Sequence, residues 1–200
     1  MRWETLRNKF LRDLEKELLS GKVDEEIVRL LEIINSSEDF FTTSSCSGRI
    51  VLIDVPENGD KKRAKVLKKW HREVSVEEIA SSIRELSFNW ILWFSSQQPI
   101  IDVSCKSLEG AIDLIKIGVA SGFKDSCIKS ISENRVVVEI RTSEKLYSPI
   151  GYGGRVLIGE SELELLVRSA NLIQRRGKNR LRRLTTSTEK YIKERERAER

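Results

Sequence analysis

The chain has 200 residues, 39% of them hydrophobic, and a formal net charge of +5. No apolar run approaches the ~20 residues needed to span a bilayer, which argues against an integral membrane protein. Three widely spaced cysteines, Cys46, Cys105 and Cys127, argue against a disulfide framework and indicate a cytoplasmic protein with reduced thiols. Because no CxxC pair is present and His71 is the single histidine, we predict no metal site.

The first part of the chain is predicted to form two helices and then two strands. Apolar residues at helical spacing predict one helix over residues 3–18 and a second that follows Asp24 and ends at Asn35. Two apolar strands follow at residues 40–46 and 49–55. We expect the two helices to form an antiparallel pair that covers a sheet.

Small polar residues join these two strands, in the sequence Ser44-Ser45-Cys46-Ser47-Gly48-Arg49. Such residues expose backbone N–H groups and hydroxyls, and an arginine adds a planar charged group that suits carboxylate or phosphate. This composition is typical of an anion-binding loop, and it is equally typical of a hairpin turn with a solvated arginine. Both interpretations stay open on chemistry alone.

A basic segment follows the turn at residues 56–60 and is predicted to be an exposed loop. Its cations are Lys61, Lys62, Arg63, Lys65, Lys68, Lys69 and Arg72, and a second basic cluster occupies residues 168–183. Clustered cations suit a polyanion, although a solvated helix face and a frayed tail have the same composition. Trp70, beside His71, either stacks on a base or docks on the core.

The middle of the chain is predicted to alternate helices and strands. Ser75 with Glu78 matches a capping box that starts one helix, and Ser107 starts another that ends before Gly122. Strands are predicted at residues 89–95, 100–105, 127–131 and 136–140. This order predicts an α+β fold of two similar small halves, with mixed sheets covered by the N-terminal and C-terminal helices.

The last part of the chain is predicted to be less regular. Residues 147–154 read as an irregular loop, residues 156–158 as a short edge strand, and Ser161 with Glu164 as the start of a final helix. Apolar residues become sparse after residue 184. We therefore predict one domain over residues 1–184 and a charged tail, helical or disordered, over residues 185–200.

The sequence lacks the common cofactor motifs. No Gly-rich fingerprint opens a helix after a strand and no P-loop is present, which argues against a Rossmann nucleotide site. Polar residues at strand ends remain, at residues 44–49, 124–126 and 141–144. Among them, Asp125 and Glu144 have carboxylates that could accept a proton or bind a ribose hydroxyl. Either residue could equally be a helix cap or an ordinary surface carboxylate.

Residues 41–49 also carry a resemblance to a known family. They resemble the Ser-Ser-Cys-x-Gly-Arg signature of the tRNA wybutosine-synthesising protein 3 family, and the similarity continues in order through residues 100–105, 120–126 and 137–149. Lys69-Trp70-His71-Arg72 is similar to the basic loop of archaeal-type members. The chain departs from the family at Cys127, where a glycine is common, and at Thr142-Ser143, where the usual order is Ser-Thr.

The resemblance implies an S-adenosylmethionine-dependent methyltransferase without the Rossmann fold. Members methylate a ring nitrogen of the tricyclic wyosine-type guanosine beside the anticodon of tRNA(Phe), in wybutosine synthesis. The resemblance implies His71 and Asp125 as catalytic residues. The expected cofactor-binding residues are Ser44, Ser45, Gly48, Arg49, Ser126 and Arg141, and the expected tRNA-binding residues are Lys68, Lys69, Trp70, Arg72, Arg175 and Arg176.

Two other functions stay open from the residues themselves. A non-catalytic RNA-binding module would account for the basic clusters, and it predicts tRNA affinity that falls steeply with salt without saturable cofactor binding. An interaction protein would use its terminal helices as a docking arm, so that trimming after Leu184 would remove partner binding and leave tRNA modification intact.

Overall fold

The structure is a computed structural model that describes residues 2–198. Within that range it contains five helices and nine strands. The helices are α1 (Trp3–Leu19), α2 (Glu25–Ser36), α3 (Val76–Glu85), α4 (Leu108–Ser121) and α5 (Glu160–Ala198). The strands are β1 (Phe40–Cys46), β2 (Arg49–Val55), β3 (Lys65–Trp70), β4 (Ile91–Gln97), β5 (Ile100–Cys105), β6 (Cys127–Ser132), β7 (Arg135–Ile140), β8 (Lys145–Tyr152) and β9 (Arg155–Val156).

The chain divides into two compact units, and each is built from segments that lie far apart in sequence. Among the described residues, the first unit comprises residues 2–47, 99–143 and 178–198. The second comprises residues 48–98 and 144–177. The division falls inside the polar stretch that joins β1 to β2, and each unit contains one sheet.

The first unit is a four-stranded sheet in the order β1-β5-β7-β6, packed against helices. Alternate residues of its strands, such as Ile101 and Val138, enter a core with the apolar face of α2. Ser107 caps α4 by accepting a hydrogen bond from the Gly110 N–H at 3.1 Å. The helix ends at Gly122, whose φ of 103° favours glycine. The predicted start and end of this helix are therefore confirmed.

The second unit is a five-stranded sheet in the order β3-β2-β4-β8-β9. Leu52 and Phe94 are fully buried in its core, where α3 and the first part of α5 pack against them. Ser75 begins α3 by accepting a hydrogen bond from the Glu78 N–H at 3.1 Å, so the predicted capping residue is confirmed.

The predicted α+β class is confirmed, and the sheets correct the predicted pairing. Every strand pair in the described residues is antiparallel, so the prediction of mixed sheets was wrong. The two sheets also do not follow one another along the chain. β1 pairs with β5, whereas β2, β3 and β4 form the other sheet with β8 and β9. Each unit therefore combines early and late strands.

Two predicted loops are strands. The basic segment contains β3, an edge strand that pairs with β2 alone, and lysines are common on such edges because they discourage further pairing. Residues 147–152 belong to β8, which pairs with β4 and has a register shift near Pro149. Proline and glycine in this segment predicted a loop, but both are tolerated at irregular points of a sheet. The short edge strand is present as β9, at residues 155–156.

Helix α5 continues through the predicted tail. Residues 185–198 are helical, and Thr188 and Ile192 are buried in the first unit. Residues 199–200 of the predicted tail lie outside the described residues. The single domain over residues 1–184 stays a prediction. No helix within residues 2–198 has both the length and the hydropathy required to cross a bilayer.

Candidate functional site

The last residues of β1 lie on the first unit and carry the two serines of the predicted signature. Ser44 and Ser45 pair with Asp102 and Ile101 of β5, after a register shift that follows Thr42. A cavity of about 450 Å³ lies beside residues 42–45 and is also lined by α1 and the start of α2. The two serines therefore border a space large enough for a small molecule.

The end of the polar stretch is held by hydrogen bonds to a residue just before α2. The Ser47 N–H and hydroxyl donate to Oδ2 of Asp24 at 3.1 and 2.8 Å. Gly48 follows with a φ of 92°, a conformation that side chains disfavour. The glycine of the signature is thus required by the backbone.

Asp125, predicted to be catalytic, lies close to Ser126 and Arg141, predicted to bind the cofactor, in the first unit. The Asp125 N–H donates to the Arg141 carbonyl at 3.2 Å, and the Ser126 hydroxyl donates to the Phe123 carbonyl at 2.7 Å. Oδ2 of Asp125 accepts from the Ser143 N–H at 2.5 Å. That hydrogen bond, with the nearby Arg141 charge, lowers the pKa of the Asp125 carboxyl. Asp125 is therefore an ionised acceptor.

A charged cluster next to this group was missed by the sequence analysis. Lys129 Nζ lies 2.8 Å from both Asp102 Oδ2 and Glu139 Oε1, and Arg141 Nε lies 3.0 Å from Glu139 Oε2. The hydrogen bonds to Asp102 and then Glu139 raise the pKa of Lys129. The available signal was the single acidic residue inside each of two apolar strands, β5 and β7.

Arg49 and His71 lie on the second unit. Arg49 Nε donates to Oε1 of Gln97 at 3.0 Å, and no other hydrogen bond or ion pair holds this guanidinium within residues 2–198. His71 Nδ1 lies 3.1 Å from the Gly48 carbonyl oxygen. Because a carbonyl only accepts, a hydrogen bond at this contact requires a proton on Nδ1. Gly48 therefore helps to orient the imidazole ring.

Trp70 and Arg72, on either side of His71, are both held by Glu78. Trp70 Nε1 donates to Glu78 Oε1 at 2.8 Å, and Arg72 forms a bidentate pair with the same carboxylate at 2.6 and 2.8 Å. This pair lowers the pKa of Glu78 and raises that of Arg72. Trp70 is 7% exposed and belongs to the core of its unit. The alternative in which Trp70 docks on the core is therefore the observed one, and its role in tRNA binding stays a prediction.

The predicted tRNA-binding cations fall into two groups. Lys68 and Lys69 are exposed on β3 and form no ion pair in the described part of the chain, although Lys68 Nζ lies 6.0 Å from the centroid of a Trp70 ring. Arg175 and Arg176, on α5, pair with Glu73 and Glu144 at 2.8 and 2.6 Å. The lysines are therefore the available charges.

The chain matches known proteins over nearly its whole length. The model of the family described as Methyltransferase TYW3 matches residues 5–190. A Pyrococcus furiosus relative, named tRNA(Phe) 7-((3-amino-3-carboxypropyl)-4-demethylwyosine(37)-N(4))-methyltransferase 1, is 45% identical over 92% of this chain and 94% of its own. A Methanocaldococcus jannaschii relative, with the same name apart from the final number, is 34% identical over 88% and 92%.

Solved structures are also similar to this chain in fold and sequence. A structure of a Pyrococcus horikoshii protein superposes with a TM-score of 0.88 at 44% identity, and the alignment covers 94% of this chain and 96% of that one. A structure of a hypothetical protein from Aeropyrum pernix has a TM-score of 0.71 at 29% identity, over 84% of this chain and 98% of its own.

Proposed function

The chain belongs to the Methyltransferase TYW3 family, and we propose that it methylates a ring nitrogen of a wyosine-type guanosine in tRNA(Phe), with S-adenosylmethionine as the methyl donor. The observation that carries the proposal is the family match over residues 5–190, supported by relatives named for this activity. We place the base beside the anticodon, where unstacked bases are accessible to proteins. The unbridged cysteines support a cytoplasmic location.

The donor set fits S-adenosylmethionine, which presents a carboxylate, an ammonium group, ribose hydroxyls and adenine. Ser44 and Ser45 offer hydroxyls at the border of the 450 Å³ cavity of the first unit. Asp125, an ionised acceptor that hydrogen bonds with Arg141 and Ser143 hold in place, suits a ribose diol. Arg49, on the second unit, stays a predicted cofactor-binding residue, and its terminal nitrogens suit an anionic group.

S-adenosylmethionine, when bound, supplies an electrophilic methyl group on a sulfonium. The ring nitrogen would take this methyl group, with the new N–C bond forming as the C–S bond breaks and the electron pair of the broken bond staying on sulfur. We propose that His71, which a contact between Nδ1 and the Gly48 carbonyl orients, receives the proton that the nitrogen then releases. The residues that orient the reactants supply much of the rate, since methyl transfer depends on in-line placement.

The direct test is methyl transfer to tRNA(Phe) isolated from cells that lack this modification. Purified protein and labelled S-adenosylmethionine should incorporate label into one nucleoside, identified by mass spectrometry, and fully modified tRNA(Phe) should accept none. Arg49→Ala should weaken S-adenosylmethionine binding by about tenfold, because it removes a charged hydrogen-bond donor. Arg84→Ala, an exposed arginine of α3, is the matched control. Tight tRNA binding without label transfer would instead favour the RNA-binding module.

A further inference from the structure

The cavity beside α1 contains charges of both signs that the proposed roles above do not use. Its volume of about 450 Å³ lies within the usual range for small-molecule sites. α1 contributes Asp13 and Glu17, which are four residues apart and therefore share a helix face. The turn that follows contributes Lys22, and the edge of β1 contributes Ser44 and Ser45.

These charges are available for a ligand. Glu17 and Lys22 form no ion pair within residues 2–198, and both are exposed. Asp13 contacts Lys16 at 3.4 Å, but both side chains are at least half exposed, so solvent weakens this pair. A third carboxylate of the lining, Asp24, accepts hydrogen bonds from Ser47. The other two carboxylates and the one ammonium group have no strong internal partner in the described residues.

The opposite wall presents neutral hydrogen-bonding groups. β1 is the outermost strand of its sheet, so one row of its backbone groups is not paired with β5. The hydroxyls of Ser44 and Ser45 have no hydrogen-bond partner in the described residues, whereas Thr43 Oγ1 contacts the Asp102 carbonyl at 3.4 Å. Free hydroxyls and a nearby ammonium group suit a carboxylate.

We propose that this cavity binds the α-amino-acid end of a reactant, with its ammonium group on Asp13 and Glu17 and its carboxylate on Lys22 and the two serines. The inference rests on the proposed function, which supplies two sources of this zwitterion. One is the methionine end of S-adenosylmethionine. The other is the 3-amino-3-carboxypropyl group in the names of the relatives, which would make the cavity a specificity site for the tRNA base.

The first arm of the test measures cofactor binding by calorimetry. Asp13→Asn, Glu17→Gln and Lys22→Gln are each titrated with S-adenosylmethionine and with methylthioadenosine, which keeps the adenosine and lacks the amino-acid end. If the cofactor occupies the cavity, each variant should bind S-adenosylmethionine about tenfold more weakly and methylthioadenosine unchanged. Glu15→Gln is the matched control, because this exposed carboxylate of α1 does not line the cavity.

The second arm compares kcat/KM for tRNA(Phe) that carries the aminocarboxypropyl group with kcat/KM for tRNA(Phe) that lacks it. If the tRNA base occupies the cavity, the same variants should lower the ratio of the two values by about tenfold. Unchanged behaviour in both arms, or equal losses in Glu15→Gln, would overturn the inference and leave the proposed function intact. The proposed function is tested separately, because it fails if the wild-type protein methylates neither tRNA.

Discussion

The two basic regions of the second unit look alike in sequence and differ in structure. On β3, Lys68 and Lys69 are exposed and have no acidic partner in the described residues. On α5, Arg175 lies 2.8 Å from Glu73 and Arg176 lies 2.6 Å from Glu144. A run of cations is therefore not equivalent to a run of available charges.

This difference matters because the affinity of a protein for tRNA depends on how many phosphates its cations neutralise. Each neutralised phosphate releases counterions, so the logarithm of affinity falls with the logarithm of salt concentration in proportion to the number of contacts. A cation that already holds a carboxylate must break that pair before it contributes. β3 should therefore dominate the salt dependence, and the α5 arginines should contribute little.

The largest expected effect is that of removing both lysines of β3. Lys68→Ala with Lys69→Ala should weaken tRNA(Phe) binding by roughly tenfold at low salt and reduce the salt slope by roughly one for each lysine that contacts a phosphate. Fluorescence anisotropy at several salt concentrations measures both quantities. The single variants show which face of β3 contacts the tRNA. Lys68 pairs with Leu52 and Lys69 with Val51, and neighbouring strand positions face opposite sides of the sheet. An unchanged slope in the double variant would contradict the importance of β3.

Variants of Glu78 test whether its partner Arg72 stabilises the fold instead of binding tRNA. Glu78→Ala removes the acceptor of the buried Trp70 indole, and we expect a loss of about 1 kcal/mol in the free energy of unfolding, measured by chemical denaturation. Glu78→Gln should lose less, because it keeps one acceptor oxygen. Glu77→Gln, an exposed neighbour on α3, is the control. Arg72→Ala should likewise reduce stability without changing the salt slope.

The contribution of Glu78 should depend on pH in a defined direction. The Arg72 hydrogen bonds lower its folded-state pKa below the ordinary value of 4.5. The stabilisation is therefore fully present above that value, and it is lost as the pH falls from 4.5 through the lowered folded-state pKa. The stability difference between wild type and Glu78→Gln should be constant at neutral pH and shrink in acid. A difference that grows in acid would contradict this account.

Releasing a paired arginine should have a smaller effect and the opposite sign. Glu73→Gln frees Arg175, so tRNA(Phe) affinity should rise by about threefold and the salt slope should steepen by up to one. Part of any gain comes from removing a negative charge. The double variant Glu73→Gln with Arg175→Ala separates the two causes, because only the contribution of the released arginine disappears in it.

Much of the fold could be predicted because local patterns decide it. The capping serines Ser75 and Ser107 and the apolar periods around them are properties of a few consecutive residues, and the helices they predict are present. β3 was missed because the charge of its lysines indicated a loop, whereas its strand conformation comes from pairing with β2. The interleaving of the two units depends on long-range pairing, which no local pattern contains.

The residues of the candidate site also divide into those that local sequence predicts and those that depend on long-range pairing. Asp125, Ser126 and Arg141 could be grouped from sequence because each lies at a strand end, and the structure brings them together. Lys129 with Asp102 and Glu139 could not, because their contact depends on the register of three strands. The two interpretations of Trp70 were equally balanced for a similar reason, since its acceptor Glu78 lies on the next helix.

The smallest expected effect is that of Arg176→Ala. This substitution removes one formal positive charge, as Lys69→Ala does, so a model based on net charge predicts equal losses for the two variants. The pair with Glu144 predicts instead a loss of less than about twofold in tRNA(Phe) affinity, because a guanidinium that lies 2.6 Å from a carboxylate must give up that pair before it neutralises a phosphate. Measuring both variants in the same salt series decides between the two accounts. Equal slopes for Arg176→Ala and Lys69→Ala would show that tRNA breaks the Glu144 pair on binding, and that α5 belongs to the tRNA-binding surface.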